Sequence, residues 1–186
     1  MEIVDADREH HRTVKERAVD RHSVLSGGER PSLNALVIRR ARFDEVDGFD
    51  ARYDFGEDVD LIFKLVEYGH FAYVDEVAAI HRIHANNWSG DPRRTAMSVD
   101  RMMRDNIRRV RRSGDSAARR DLGKAKRHAR RFYAGAAVGQ AVATWRMKQY
   151  PAAVLLAWWS MRFSPVGVSS TSASMIKRRW HRRAST

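Results

Sequence analysis

The formal charge of this chain changes sign partway along its length, and that change limits how the chain can fold. Residues 1–100 contain 14 Lys and Arg against 20 Asp and Glu, whereas residues 101–186 contain 21 against 3. The overall net charge of +12 therefore combines a mildly acidic first part with a strongly basic second part. A division this sharp predicts two units with different partners, which we place at residues 1–94 and 95–186.

Length and composition narrow the class of protein. A chain of 186 residues can form one domain with an appendage, or two small domains. It has no cysteine, which excludes disulfide bonds and thiolate metal sites and fits a cytoplasmic protein. The acidic start lacks the apolar run of a signal peptide. The most apolar stretch, Ala152 to Met161, is much shorter than the ~20 residues that span a bilayer.

Apolar patterning in the first part predicts a mixture of strands and helices. Short apolar segments bounded by turn residues predict strands at Leu33–Ile38, Phe71–Val74 and Val77–Ile83. Ala41 to Val46 predicts one helical turn. After Glu57, apolar residues at Leu61, Ile62, Leu65 and Val66 follow the i, i+1, i+4, i+5 pattern of one helix face.

The second part has the periodicity of long helices. We predict three of them, at Met97–Arg112, 116–148 and Ala152–Phe163. Ser113-Gly114-Asp115 separates the first two, and Pro151 stands where proline is favoured at a helix start. The expected fold class is therefore α+β in the first part, followed by an all-α, basic helical extension.

The sharpest chemical feature is the group of acids before the helix in the first part. Asp54, Glu57, Asp58 and Asp60 fall within seven residues. Acids at a helix start satisfy free N–H groups and the helix dipole, so capping is one interpretation. The other is a carboxylate held in place as a general base. The two are compatible, because a cap can fix the position of a carboxylate.

Four segments around these acids occur in a characteristic order. An apolar run ends in arginine, a helical turn leads to a Gly-Phe-Asp turn, a Glu-Asp pair opens a helix, and an Arg-x-His segment follows. The segments are Leu36–Arg40, Phe43–Asp50, Gly56–Leu61 and Ala79–His84. In this order and at this spacing they resemble the family 2 glycosyltransferases, over roughly residues 32–90.

The resemblance implies part of a glycosyltransferase type A fold and assigns roles to individual residues. Asp58 would be the catalytic base that deprotonates the acceptor hydroxyl, and Glu57 would assist acceptor binding. His84 would contact the metal or the donor diphosphate, unless it is a loop histidine without a ligand. Arg82 would contact phosphate or form a surface ion pair, and Trp88 would stack on a sugar ring or anchor the loop by packing.

The resemblance also has departures. Asp47 and Ala51 stand where the family has Gly and Glu. Family members carry an N-terminal nucleotide-binding half that ends in an Asp-x-Asp motif holding Mg²⁺ or Mn²⁺. Asp5-Ala6-Asp7 has that spelling but lies only 51 residues before Asp58. We therefore expect a donor-binding half to be missing and the chain to be inactive by itself.

The basic second part bears on partners. The second part has many arginines beside Trp145, Trp158, Trp159 and Trp180. One interpretation is docking on an anionic membrane surface, and the other is a solvated, arginine-rich helical face. No motif indicates nucleic-acid binding. The expected function is sugar transfer from a nucleotide-sugar donor to a glycan or lipid-linked acceptor hydroxyl by inverting displacement, in the cytoplasm or peripherally on the inner face of the membrane. The alternatives are a non-catalytic membrane-surface or scaffold protein and a nucleic-acid-binding module.

Overall fold

A computed structural model describes residues 2–4, 10–13, 18–69, 71–77, 79–82 and 91–169. The α-helices within these residues include α1 (Arg21–Ser26), α2 (Arg40–Glu45), α3 (Glu57–Leu65), α4 (Pro92–Arg112), α5 (Ser116–Arg146) and α6 (Tyr150–Phe163), and residues 165–169 are also helical. A 3₁₀ turn covers Leu33–Ala35. Three short strands, β1 (Glu2–Val4), β2 (His10–Thr13) and β3 (Ile80–Arg82), pair in the order β2-β1-β3. β1 runs antiparallel to β2 and parallel to β3.

The prediction of an α+β domain with part of a glycosyltransferase type A fold is wrong. Helices supply the core of the described structure, and its β pairing is confined to strands of three or four residues. The run Leu33–Ile38 is a 3₁₀ turn and unpaired extended backbone, with Val37 almost fully exposed. Phe71–Val74 is also unpaired. An apolar run becomes a strand only beside a partner strand, and neither of these runs is paired with one.

The three helices predicted in the second part are confirmed. α4 ends at Arg112 as predicted but begins earlier, at Pro92, because the Asp91 side chain accepts hydrogen bonds from the N–H groups of Arg93 and Arg94. α5 begins at Ser116, where Asp115 caps it through the N–H of Ala118. Capping by aspartate therefore sets both helix starts.

Helix α5 is the centre of the molecule. α1, α4 and α6 all pack against it, and α3 packs against α4. The largest buried side chains come from four helices and include Leu25, Phe63, Met102 and Leu122. The core therefore joins residues from the acidic first part to residues from the basic second part.

The contact between α1 and α5 requires small residues. Gly27, which ends α1, has a φ of 78°, and a Cβ placed on it would lie 3.0 Å from the Cβ of Ala125. Both the left-handed backbone and the close approach favour glycine at this position.

We predict opposite effects for two glycine substitutions. Gly27→Ala should lower the free energy of unfolding by about 1–3 kcal/mol, because it adds strain and crowds Ala125. Gly139→Ala should raise it by roughly 0.5–1 kcal/mol, because Gly139 lies within α5 with open space around it. Urea unfolding followed by circular dichroism measures both. Equal effects of the two substitutions would contradict the close packing of α1 on α5.

Candidate functional site

The loop that precedes α3 is fastened to α4. The Ser98 hydroxyl donates to the backbone carbonyl of Phe55 at 2.9 Å and accepts from its N–H at 3.1 Å. The Tyr53 hydroxyl donates to Asp105 at 3.1 Å, and burial together with this bond raises the pKa of Tyr53. These contacts hold the start of α3 in a fixed position relative to α4.

Gly56 shapes the turn into α3. It has a left-handed φ of 86°, and a Cβ there would lie 3.3 Å from side-chain atoms of Val99 and Met102. Glycine is therefore favoured both by the backbone conformation and by the close approach of α4. The turn places Glu57 and Asp58 in the first turn of α3, as the sequence predicted.

The four acids of this region have different environments. Asp54 is exposed and forms an ion pair with Arg94 at 3.0 Å. Asp60 is only 3% exposed and lies within the packing between α3 and α4. Glu57 and Asp58 are partly buried, and neither forms an ion pair with another described residue. The predicted site residues Glu57 and Asp58 therefore differ from Asp54 and Asp60, whose carboxylates form ion pairs.

Asp60 is the structural acid. Its carboxylate accepts from the Asn106 amide at 2.6 Å and lies 3.0 Å from the Lys64 ammonium. Lys64 also donates to the carbonyls of Val46 and Gly48. A buried charge needs this many partners because it has lost its water. The network ties α3 to α4 and to the turn after α2.

The charge of Asp58 acts on a tyrosine from the second part of the chain. The Asp58 carboxylate accepts from the N–H of Val59 at 2.8 Å. Burial raises the pKa of Tyr133 on α5, the charge of Arg30 opposes that shift, and the negative charge of Asp58 adds to it. Sequence spacing gave no sign of Tyr133, which lies 75 residues after Asp58.

One cavity next to α3 does not include Asp58. It has a volume of about 420 Å³ and lies at the other end of α3, between residues 36–39 and Arg42 on one side and Leu65 and Tyr68 on the other. Seven residues separate Asp58 from Leu65, or about 10 Å of helix. A ligand in this cavity must extend about that far to reach Asp58.

Of the other predicted site residues, the structure describes only the backbone of Arg82. His84 and Trp88 lie outside the described residues, as do Asp5 and Asp7. Arg82 is the last residue of β3. Within the described ranges, no group of three His, Asp or Glu side chains is placed to hold a metal ion. The Mg²⁺ or Mn²⁺ site therefore stays a prediction.

Comparisons with known proteins leave the resemblance untested. No protein-family model, curated protein or solved structure matches the chain. In the part of the chain that the structure describes, none of the helices has the length and apolar character needed to cross a bilayer.

We predict that removing charge from the two neighbouring acids has unequal effects on stability. Asp60→Asn should lower the free energy of unfolding by about 3 kcal/mol, because it leaves the Lys64 ammonium buried without its counter-charge. Asp58→Asn should cost only about 0.3–1 kcal/mol, from a weaker interaction with the dipole of α3. Urea unfolding of the two variants checks this difference. A larger loss for Asp58→Asn would show that Asp58 is the structural acid.

Proposed function

We propose that the chain is the acceptor-side portion of a nucleotide-sugar glycosyltransferase, with Asp58 as the catalytic base. The observation that carries the proposal is the Asp58 carboxylate itself. It lies in the first turn of α3, directly after a loop that is fastened to α4. It forms no ion pair with another described residue. A carboxylate that is fixed in position but not neutralised suits a general base.

The chemistry requires one proton transfer. The acceptor hydroxyl oxygen bonds to the anomeric carbon of the donor sugar as the bond from that carbon to the nucleoside diphosphate breaks. Asp58 takes the proton of the hydroxyl, and the diphosphate leaves with the bonding electrons. A single displacement of this kind inverts the anomeric configuration. Glu57, the preceding residue in the same helical turn, would hold the acceptor.

The order of the local elements also supports the proposal. The sequence motif predicted a helical turn, then a tight turn, then a helix that begins with Glu57 and Asp58. In the structure, α2, the turn at Asp47 and Gly48, and α3 follow in that order. The proposal rests on this local arrangement and on the resemblance, and it requires no sheet. The donor would be a nucleotide sugar and the acceptor a glycan or lipid-linked glycan.

A second function, docking on an anionic membrane surface without catalysis, is favoured by the exposed side of α6. Its exposed apolar residues share one side of the helix: Tyr150, Val154, Leu155, Trp158 and Met161. Arg162 lies over the Trp158 ring at 5.3 Å, and Arg146 and Lys148 precede the helix. Apolar side chains edged by cations suit the headgroup region of an anionic membrane. A protein bound in this way would be peripheral, at the inner face of the membrane.

We predict that Asp58→Asn lowers sugar transfer by about 10²–10⁴-fold, the usual contribution of a general base. The measurement is release of nucleoside diphosphate from a panel of nucleotide sugars with membrane extract as acceptor. It uses the chain as printed and any longer product of the same reading frame. Asp54→Asn is the matched control, since Asp54 is an exposed acid of the same loop.

Three outcomes decide the proposal. Turnover that is lost in Asp58→Asn and kept in Asp54→Asn supports it. Turnover that both variants keep shows that Asp58 is not the base. Absence of turnover in every form of the protein shows that the chain does not serve glycosyl transfer.

For the second function, the double variant Leu155→Ser/Trp158→Ser should weaken binding to vesicles containing phosphatidylglycerol by roughly tenfold or more, because two apolar side chains are lost from the interface. Val37→Ser is the control, since Val37 is exposed but lies far from α6 in the sequence. Sedimentation with vesicles measures the binding. Equal binding by the double variant and the control would exclude α6 as the docking side.

A further inference from the structure

Helix α5 carries a row of basic residues at the spacing that apolar residues have on the buried side of a helix. Lys124, Arg127, His128 and Arg131 occupy positions i, i+3, i+4 and i+7. Residues at this spacing share one side of a helix. In the same helical turns, Leu122 and Ala125 lie on the buried side of α5 and contact the core. This spacing is present in the sequence, but the many other arginines nearby make the row hard to recognise there.

The row lines an open cavity of about 460 Å³ between α5 and the end of α1. The opposite wall consists of His22, Ser26, Gly27 and Gly28. Among the residues that the structure describes, none that lines this cavity is acidic. Its size is sufficient for a diphosphate or a phosphorylated headgroup.

The charges in the cavity are only partly balanced. Asp121, just outside it, contacts His22 at 2.7 Å and Lys124 at 3.3 Å. Arg127, His128 and Arg131 have no ion pair or side-chain hydrogen bond with any residue that the structure describes. Like charges one helical turn apart repel each other, so this row is less stable empty than with an anion bound.

Close packing bounds the cavity at one point. Gly27 at the end of α1 is in close contact with Ala125 of α5, so the two helices cannot approach more closely there. The N–H groups of Gly27 and Gly28 already donate to carbonyls of α1. The cationic side chains, rather than the backbone, must therefore supply the binding of an anion. Guanidinium groups suit phosphate oxygens because they donate two parallel hydrogen bonds.

We propose that this cavity, the α1–α5 cavity, binds a phosphate-bearing ligand, either a free diphosphate or the phosphate of a lipid headgroup. Arg127 and Arg131 would hold the phosphate oxygens, with His128 and Lys124 beside them. The Asp58 carboxylate does not line this cavity, and phosphate binding needs no glycosyl transfer, so either proposal can fail without the other.

The test uses isothermal titration calorimetry with pyrophosphate and the whole chain. The variant Arg127→Gln/Arg131→Gln removes two unpaired cations from the cavity. The matched control, Arg111→Gln/Arg112→Gln, removes the same charge from exposed residues at the end of α4. We expect the cavity variant to weaken pyrophosphate binding by roughly tenfold or more, and the control to change it by less than about threefold. The amide signals of Gly27 and Gly28 should shift during the titration.

A second arm distinguishes the source of the phosphate. Phosphatidylcholine vesicles are prepared with and without phosphatidic acid, and sedimentation measures binding of the same variants. Binding only to the vesicles with phosphatidic acid, lost in the cavity variant, assigns the site to a lipid headgroup. Pyrophosphate binding without vesicle binding assigns it to a free phosphate compound. If neither probe binds, or if both variants weaken binding equally, the proposal is wrong.

Discussion

The structure depends on the close packing of helices against α5. Small side chains, among them Ala118, Ala125, Ala134 and Ala137, form its buried positions and let neighbouring helices approach closely. The Gly27 contact with Ala125 and the close approach of Gly167 to the backbone of Arg131 show how little space separates these elements. Any larger residue at these contacts would push a neighbour away, because packed interiors have little room to adjust.

This packing brings together two parts of opposite charge. Arg21 on α1 reaches both Glu67 after α3 and Asp115 at the start of α5, at 2.6 and 2.7 Å. Asp100, at the end of the acidic part, lies 3.7 Å from Lys126 and 3.5 Å from Arg130 on α5. Glu57 and Asp58 at the start of α3 form no ion pair with a described residue, and the same is true of Arg127 and Arg131 in the α1–α5 cavity.

Asp58 follows a loop that Ser98 and Tyr53 fasten to α4, which suits chemistry that needs a fixed carboxylate. The α1–α5 cavity lies beside Ala125, which belongs to the core cluster. The position of each place therefore depends on the packing of helices against one another.

The sequence by itself determined the helices of the second part and the helix that begins at Glu57, because apolar periodicity and turn residues such as Gly114 and Pro151 act over a few residues. It also identified the acids at the start of α3. Only the tertiary structure decided that Asp60 is a buried structural acid and Asp58 is not, that the charge of Asp58 acts on Tyr133, and that Leu33–Ile38 is not a strand. Each of these depends on neighbours distant in sequence. Burial, ion pairing and strand partners are properties of the packed chain, and no local pattern contains them.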